Sequence, residues 1–328
     1  MNQQAPVRSQ IELVAIINSF NRRELLEKAI TSLTQALREA GFGSAIIVFD
    51  AGSNDGSVEF LNTWREQNPT DNLIVVTSAD GGSSFAEGVN VACSTALAQF
   101  PHCRWLFLYE TDNWLNSIES VDRAISLMNE QPQLAAVGFT VKRHSGVFCG
   151  YGMRFPSYLS LALGLNLTVL WNFDTPNDSP WQETGNVRWR TCDVVFTSPL
   201  LIRREAWEQT QGFDAKAFPF SESDLDWAWR CAKLGWKMAV IASDDVVHDN
   251  LQQSSAWSAN RVVEFHRSRL RLLKRHRGDR SALIKPLLFV RHGVEAIILA
   301  CKAGSDPAVQ EKLAKRRRML RTVWTNYS

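Results

Sequence analysis

The chain has 328 residues, 45% of them apolar and 21% charged, which excludes a disordered polymer and allows one large domain or two modest ones. Its net charge of +2 hides a division: residues 261–328 hold 17 basic and 5 acidic side chains, net +12, leaving 19 basic and 29 acidic, net −10, for the remainder. An acidic body and a basic tail call for different partners. The cysteines show no paired Cys-x-x-Cys spacing, which argues against a zinc cage or redox pair and for a reduced, cytoplasmic chain.

The opening MNQQAPVRSQ lacks the apolar core of a secretory signal, so export is not expected. Ile11 to Phe20 is a nearly continuous apolar run, as in a strand buried on both faces. Leu25, Leu26, Ala29, Ile30, Leu33, Ala36 and Leu37 then recur at helical spacing, and Gly41 can end that helix. The alternation continues with strand Ala45–Phe49, helix Val58–Glu66, strand Leu73–Thr77, helix Phe85–Gln99, strand Trp105–Tyr109, helix Ile118–Asn129 and strand Leu134–Val141. Strands separated by such helices predict a doubly wound α/β half with ligands at the carboxyl ends of its strands. Residues 142–190 lack a sustained period and read as elaborated loops. Regularity returns at Val194–Ile202, helix Asp224–Leu234 and strand Trp236–Ala242, and beyond Asn250 the chain reads as helical. The apolar stretches Tyr158–Trp171 and Pro286–Cys301 are too short or too interrupted by charge to predict a transmembrane helix.

Several strand ends carry groups with chemical potential. Asp50-Ala51-Gly52-Ser53-Asn54-Asp55-Gly56-Ser57 puts one carboxylate where a base or ribose could donate to it, although a capped polar turn would look the same. Asp80-Gly81-Gly82-Ser83-Ser84 leads into a helix whose first amides suit a phosphate. Glu110-Thr111-Asp112 offers oxygen ligands for a divalent cation between protein and diphosphate, or merely a solvated acidic turn. Ser221-Glu222-Ser223-Asp224-Leu225-Asp226-Trp227 opens a helix with three carboxylates that capping alone does not explain. Beside them Trp227 and Trp229 could serve as a sugar platform or as core, and the chain's 12 tryptophans favour carbohydrate. His248 follows a late strand and gains weight only if it faces Glu110 and Asp112.

Taken in order, these segments resemble the family 2 glycosyltransferases, inverting and rhamnosyltransferase-like enzymes of the GT-A fold. The resemblance spans roughly residues 11–277 and rests on Ile16-Ile17-Asn18-Ser19-Phe20-Asn21-Arg22, the Phe49–Ser57 turn, Ser84-Phe85-Ala86-Glu87-Gly88-Val89-Asn90, Glu110-Thr111-Asp112, Gly212-Phe213-Asp214 and Ser223-Asp224-Leu225-Asp226. It implies an α/β fold with a doubly wound mixed sheet in residues 1–250, divided into a nucleotide-binding half (1–141) and an acceptor half (142–250), with residues 251–328 as a basic helical extension. It further implies donor contacts at Asn18, Phe20, Asp50, Asp80, Asn90 and Glu110, a divalent metal (Mn2+ or Mg2+) at Asp112 and His248, Asp224 as base, and acceptor contacts at Glu222, Asp226 and Trp227. Glu110 and Ser223 depart from the family's usual acids at their positions.

The expected function is therefore transfer of a sugar from a nucleotide-sugar donor to a glycan or lipid-linked acceptor, with polysaccharide or cell-envelope assembly as the setting. An adenosylmethionine-dependent methyltransferase would leave Glu110, Asp112 and His248 without a joint purpose. A catalytically inactive binding module is the other alternative. In the tail, Val262, Val263, Phe265, Leu270, Leu272 and Leu273 interleave with arginines. That pattern suits an interfacial helix on an anionic membrane, at the inner face of the plasma membrane, or a helix packed on the body. No nucleic-acid-reading motif is present.

Overall fold

The computed structural model describes residues 11–78, 82–143, 146–170, 179–197, 199–248, 259–304 and 306–325. The chain divides into two compact units, residues 1–153 with 177–250 and residues 154–176 with 251–328.

The first unit opens with β1 (Ile11–Ser19), α1 (Arg23–Arg38), β2 (Gly43–Asp50), α2 (Ser57–Gln67), β3 (Leu73–Thr77), α3 (Phe85–Gln99) and β4 (Trp105–Leu108). β1 lies between β2 and β4, β2 beside β3, and all three pairings are parallel. Every residue of β4 is buried, as are most of β1 and β2, so helices must cover both faces of this sheet. α1 contributes Leu26, Ala29, Ile30, Leu33 and Leu37 to that cover.

After β5 (Asn113–Leu115) and α4 (Glu119–Glu130) the chain enters β6 (Leu134–Phe139), which does not extend the parallel run beside β4 as its period predicts. β11 (Leu200–Arg203) lies antiparallel between β4 and β6. β12 (Lys237–Ile241) then pairs parallel to β6, and β10 (Val187–Cys192) and β9 (Gln182–Thr184) complete a nine-stranded mixed sheet. Local periodicity reports burial and not strand direction, so this reversal is invisible until the partners are known. A smaller sheet joins β5, β13 (Val246–His248), β7 (Val141–Lys142) and β8 (Phe148–Cys149), in the order β5-β13-β7-β8. α6 (Arg204–Thr210) and α7 (Ser223–Lys233) precede β12.

The second unit contains α5 (Tyr158–Leu170), α8 (Ala259–Arg277), α9 (Ser281–Lys302) and α10 (Pro307–Thr325). α5 forms inside the stretch read as loops, and Tyr158 Oη donates to Gly278 O at 2.7 Å while Arg291 Nη1 donates to Leu161 O at 2.9 Å. These ties hold α5 with the C-terminal helices. α5 breaks its helical backbone at Gly164 (φ 76°), where a Cβ would strike the Arg291 guanidinium. In α8, Val263, Leu270, Leu272 and Leu273 are buried and Val262 and Phe265 half-buried, which favours the packed helix of the two alternatives. Among the described residues no helix is long and apolar enough to cross a membrane.

Candidate active site

The acidic turn after β4 is assembled by strand pairing. β13 runs antiparallel to β5 and sets His248 opposite Asn113, so residues 135 apart in sequence meet beside Asp112. His248 Nδ1 lies 3.0 Å from Asn113 Oδ1 and 3.6 Å from Asp112 Oδ1. Asn113 Nδ2 donates to the carbonyl of Tyr109, which leaves Oδ1 as the acceptor end of that amide. His248 thus turns its Nδ1 toward both Asn113 and Asp112.

Asp112 is buried, and its Oδ1 has no hydrogen-bond partner among the described residues. A buried carboxylate oxygen left without a donor is expensive unless a ligand completes it. Arg22 Nη1 approaches Oδ2 at 3.6 Å and Thr111 Oγ1 at 3.4 Å. Among the described residues no three His, Cys, Asp or Glu side chains form a metal cage by themselves. The donor set fits a cation that takes Asp112 and His248 from the protein and its remaining oxygens from a diphosphate.

Glu110 sits on the same turn with φ 59°, and its Oε1 accepts from Thr197 Oγ1 at 3.0 Å. Burial raises its pKa, and the charges of Asp112 and Asp224 raise it further, against the hydrogen bond from Thr197 and the charge of Arg22. Asp224, half-buried in the first turn of α7, is thus close enough for its charge to be felt by Glu110. Asn21, Glu110 and Glu222 all adopt positive φ, and such strained backbone concentrates at ligand sites.

At the ends of β1 and β2 the turns are tied together. Asn21 N donates to Ser53 Oγ at 2.8 Å, Asn54 N to Asn21 Oδ1 at 2.9 Å, and Arg23 N to Asp55 Oδ2 at 2.8 Å. Asp50 is fully buried and accepts from Gly52 N, Ser53 N and Ser53 Oγ, so its carboxylate shapes this turn. Asn18 Nδ2 donates to Phe85 O at 3.3 Å, while Asn18 Oδ1 is buried with no hydrogen-bond partner among the described residues. Phe20 is 55% exposed, a large aromatic ring open at a strand end.

No family model matches the chain. It is 24% identical over 262 residues to the N-acetylglucosaminyl-diphospho-decaprenol L-rhamnosyltransferase of Mycobacterium tuberculosis, covering 77% of this chain and 81% of that protein. Among solved structures it is similar to the mannosyltransferase PcManGT of Pyrobaculum calidifontis in complex with GDP-Man and Mn2+ (TM-score 0.53, 16% identity, 97% of this chain and 88% of that one). It is similar also to S. aureus TarS 1-349 in complex with UDP-GlcNAc (TM-score 0.51, 14% identity, 85% and 70%). The chain has the GT-A glycosyltransferase fold.

The resemblance carried by the motifs is matched on both counts, and the methyltransferase alternative is set aside by this fold. Within the GT-A frame, several residues expected to touch ligands have other occupations. Asp226 is fully buried and pairs with Arg230 Nε at 2.8 Å, while the same guanidinium donates to the carbonyls of Thr210 and Gly212. Trp227 is buried against Trp207 and Phe213 and donates from Nε1 to Thr210 Oγ1 at 2.7 Å. Both are taken up by the packing beneath α7, and Asp226, two positions beyond Asp224, lies on the opposite side of the helix from it.

Asn90 is likewise a brace: Nδ2 donates to Phe213 O at 2.8 Å and Oδ1 accepts from Phe213 N at 2.9 Å. The start of α3 is not an open anion site either. Ser84 and Glu87 form a reciprocal cap, and Ala86 N donates to Pro219 O at 3.0 Å. Glu222 is buried at the N-cap of α7. Asp80 lies outside the described residues.

Arg22, Asn113 and Thr197 were given no individual role by the sequence motifs. Arg22 had a signal, its place in the Asn-Arg turn, but Thr197 reaches Glu110 across 87 residues and could be found only in three dimensions.

Proposed function

We propose that this GT-A chain moves a sugar from a nucleoside-diphosphate donor to a lipid-linked acceptor, with inversion at the anomeric carbon. The convergence of Asp112, Glu110, His248 and Asp224 at the carboxyl ends of the strands carries this function. The mycobacterial relative is named for transfer onto a diphospho-decaprenol-linked sugar, which supports a lipid-linked acceptor here. Such an acceptor sets the reaction at the inner face of the plasma membrane, beside which a segment of net +12 is held by anionic lipid.

In a single displacement the acceptor oxygen bonds to the sugar carbon as the bond to the diphosphate breaks. Asp224, in the first turn of α7, takes the proton released by the acceptor hydroxyl. Asp112 and His248 would hold a divalent ion, Mn2+ or Mg2+, which would supply Lewis-acid neutralisation of the leaving diphosphate. The Mn2+ in the mannosyltransferase complex supports this assignment. Arg22, alongside Asp112, adds a fixed positive charge at the same end. Asn18, Phe20 and the Asp50 turn receive the base and ribose, with the Asn21, Ser53 and Asp55 ties keeping the two turns in register. Glu110, held by Thr197, is the remaining donor contact on this turn.

The test is nucleoside diphosphate release from UDP-GlcNAc, GDP-mannose and a nucleoside-diphosphate rhamnose, with and without Mn2+. Metal-stimulated release from at least one donor is expected. Nucleotide binding without release from any donor would leave a binding module instead.

A further inference from the structure

Helix α9 is apolar on two faces: Ile284, Leu288 and Ala296 are buried with His292, and a second apolar stripe lies outside. At about 100° per residue, Leu283, Leu287, Val290, Val294, Ile297 and Ile298 share an arc roughly 100° wide. All six are exposed, from 48% to 71%. The opposite pole carries His292, which is fully buried, with Arg291 and Glu295 on its flank. Arg316 of α10 closes on Glu295 Oε2 at 2.8 Å, and the His266 ring of α8 stands 5.5 Å from that of His292. Between Ala282 and Cys301 every exposed residue of α9 is apolar. A contiguous apolar stripe on an otherwise charged unit marks a surface that something covers.

We infer that this stripe is a membrane-contact face, lying in the plane of an anionic bilayer with its side chains among the upper acyl carbons. Charge selects the occupant. Residues 261–328 carry net +12, and Arg271, Arg275, Lys302, Lys312 and Arg317 are exposed across the three helices. A second copy docked stripe to stripe would bring +12 against +12, whereas anionic headgroups gain from the same charges. Length selects the mode of contact. Leu283 to Ile298 covers about 22 Å of helix, too little to span a hydrocarbon core and enough for an in-plane amphipathic helix. The face is on α9 and not on α8, where Val263, Leu270, Leu272 and Leu273 are internal and no large apolar side chain among the described residues is exposed. The assignment follows from this distribution alone and does not depend on the transfer reaction.

The experiment is co-sedimentation of the full chain with phosphatidylglycerol-containing vesicles and with pure phosphatidylcholine vesicles, in parallel with the triple variant Leu287→Ser, Val290→Ser, Val294→Ser. Binding to the anionic vesicles should fall by about tenfold or more in the variant and weaken at high salt for the parent chain. Equal recovery of parent and variant in the pellet, or a parent chain that stays in the supernatant, overturns the proposal. Should the variant fold poorly, a polarity-sensitive thiol dye on the exposed Cys301 reads the same face without substitution. A blue shift on adding anionic vesicles is expected, and an unshifted spectrum overturns it. A concentration-dependent dimer seen by ultracentrifugation without lipid, and lost in the variant, would reassign the stripe to a second copy.

Discussion

In the sheet unit the inward positions are apolar and the acids collect where strands end, whereas in the helical unit α9 buries His292 beside Ile284, Leu288 and Ala296 and leaves a second face of leucine, valine and isoleucine exposed. Both units bury apolar side chains, and the second also leaves a contiguous apolar stripe exposed. In the sheet unit a buried acid has one of two fates. Asp226 is matched by Arg230, and Asp112 keeps an oxygen with no donor. The first fate is structural, and the second marks the place where a ligand must supply what the chain withholds. In the helical unit the ionic groups serve one another, and the outer surface is left for an apolar surrounding.

The largest effect should come from separating those fates. Arg230→Met strips the partner from a fully buried Asp226 and should cost about 3 kcal/mol or more in denaturant unfolding. Arg316→Met should cost visibly less, because Arg291 still pairs with Glu295 at 3.1 Å. Equal losses would break the comparison.

Next in size is Asp224→Asn, which keeps the shape of the side chain and removes its ability to accept a proton. Turnover should drop by roughly 100-fold with donor affinity nearly unchanged. Near-normal turnover would move the base to another carboxylate, Glu222 foremost.

Asp112→Ala and His248→Ala should each weaken metal-dependent donor binding by about tenfold, measured by calorimetry with and without Mn2+. Since the two residues serve one ion, the double variant should lose little more than either single one. Full additivity would separate their roles.

The smallest effect is a pH dependence confined to the helical unit. Burial, with His292, Arg291, Arg316 and Arg269 nearby, pushes His266 down to about 3. Burial alone would raise Glu295, but His292, Arg291 and Arg316 hold it down to about 2. In both cases the unfolded chain binds the proton more readily. The stability these groups contribute is complete above about 6.5 and drains as pH falls toward 3. His266→Leu should flatten the upper part of that slope in melts followed by circular dichroism. An unchanged slope would show that acid acts elsewhere.

Much of the fold was legible because β1 to β4 and the helices between them are sorted by local period alone. β3 and α3 fall at the residues the pattern assigns, and α1 and β2 differ only at their ends. What the period does not carry is strand direction, so β11 was placed only by its partners. α5 escaped because it is apolar all round and broken at Gly164, which leaves no amphipathic stripe to detect. At the site, the meeting of Asp112 with His248 followed from an ordered set of motifs. Asp226, Trp227 and Asn90 could not be told from ligand contacts by type, since a buried brace and a binding group draw on the same side chains.

The antiparallel insertion of β11 also governs the order in which the protein can be made. Until Leu200–Arg203 has left the ribosome, β4 and β6 have no strand between them, and both present long-buried edges to whatever is near. The nucleotide-binding half is then a complete set of crossovers with one unzipped side, a template for pairing with another nascent chain. Synthesis that stalls in the roughly 60 residues between β6 and β11 should therefore yield aggregates rather than a soluble half-enzyme.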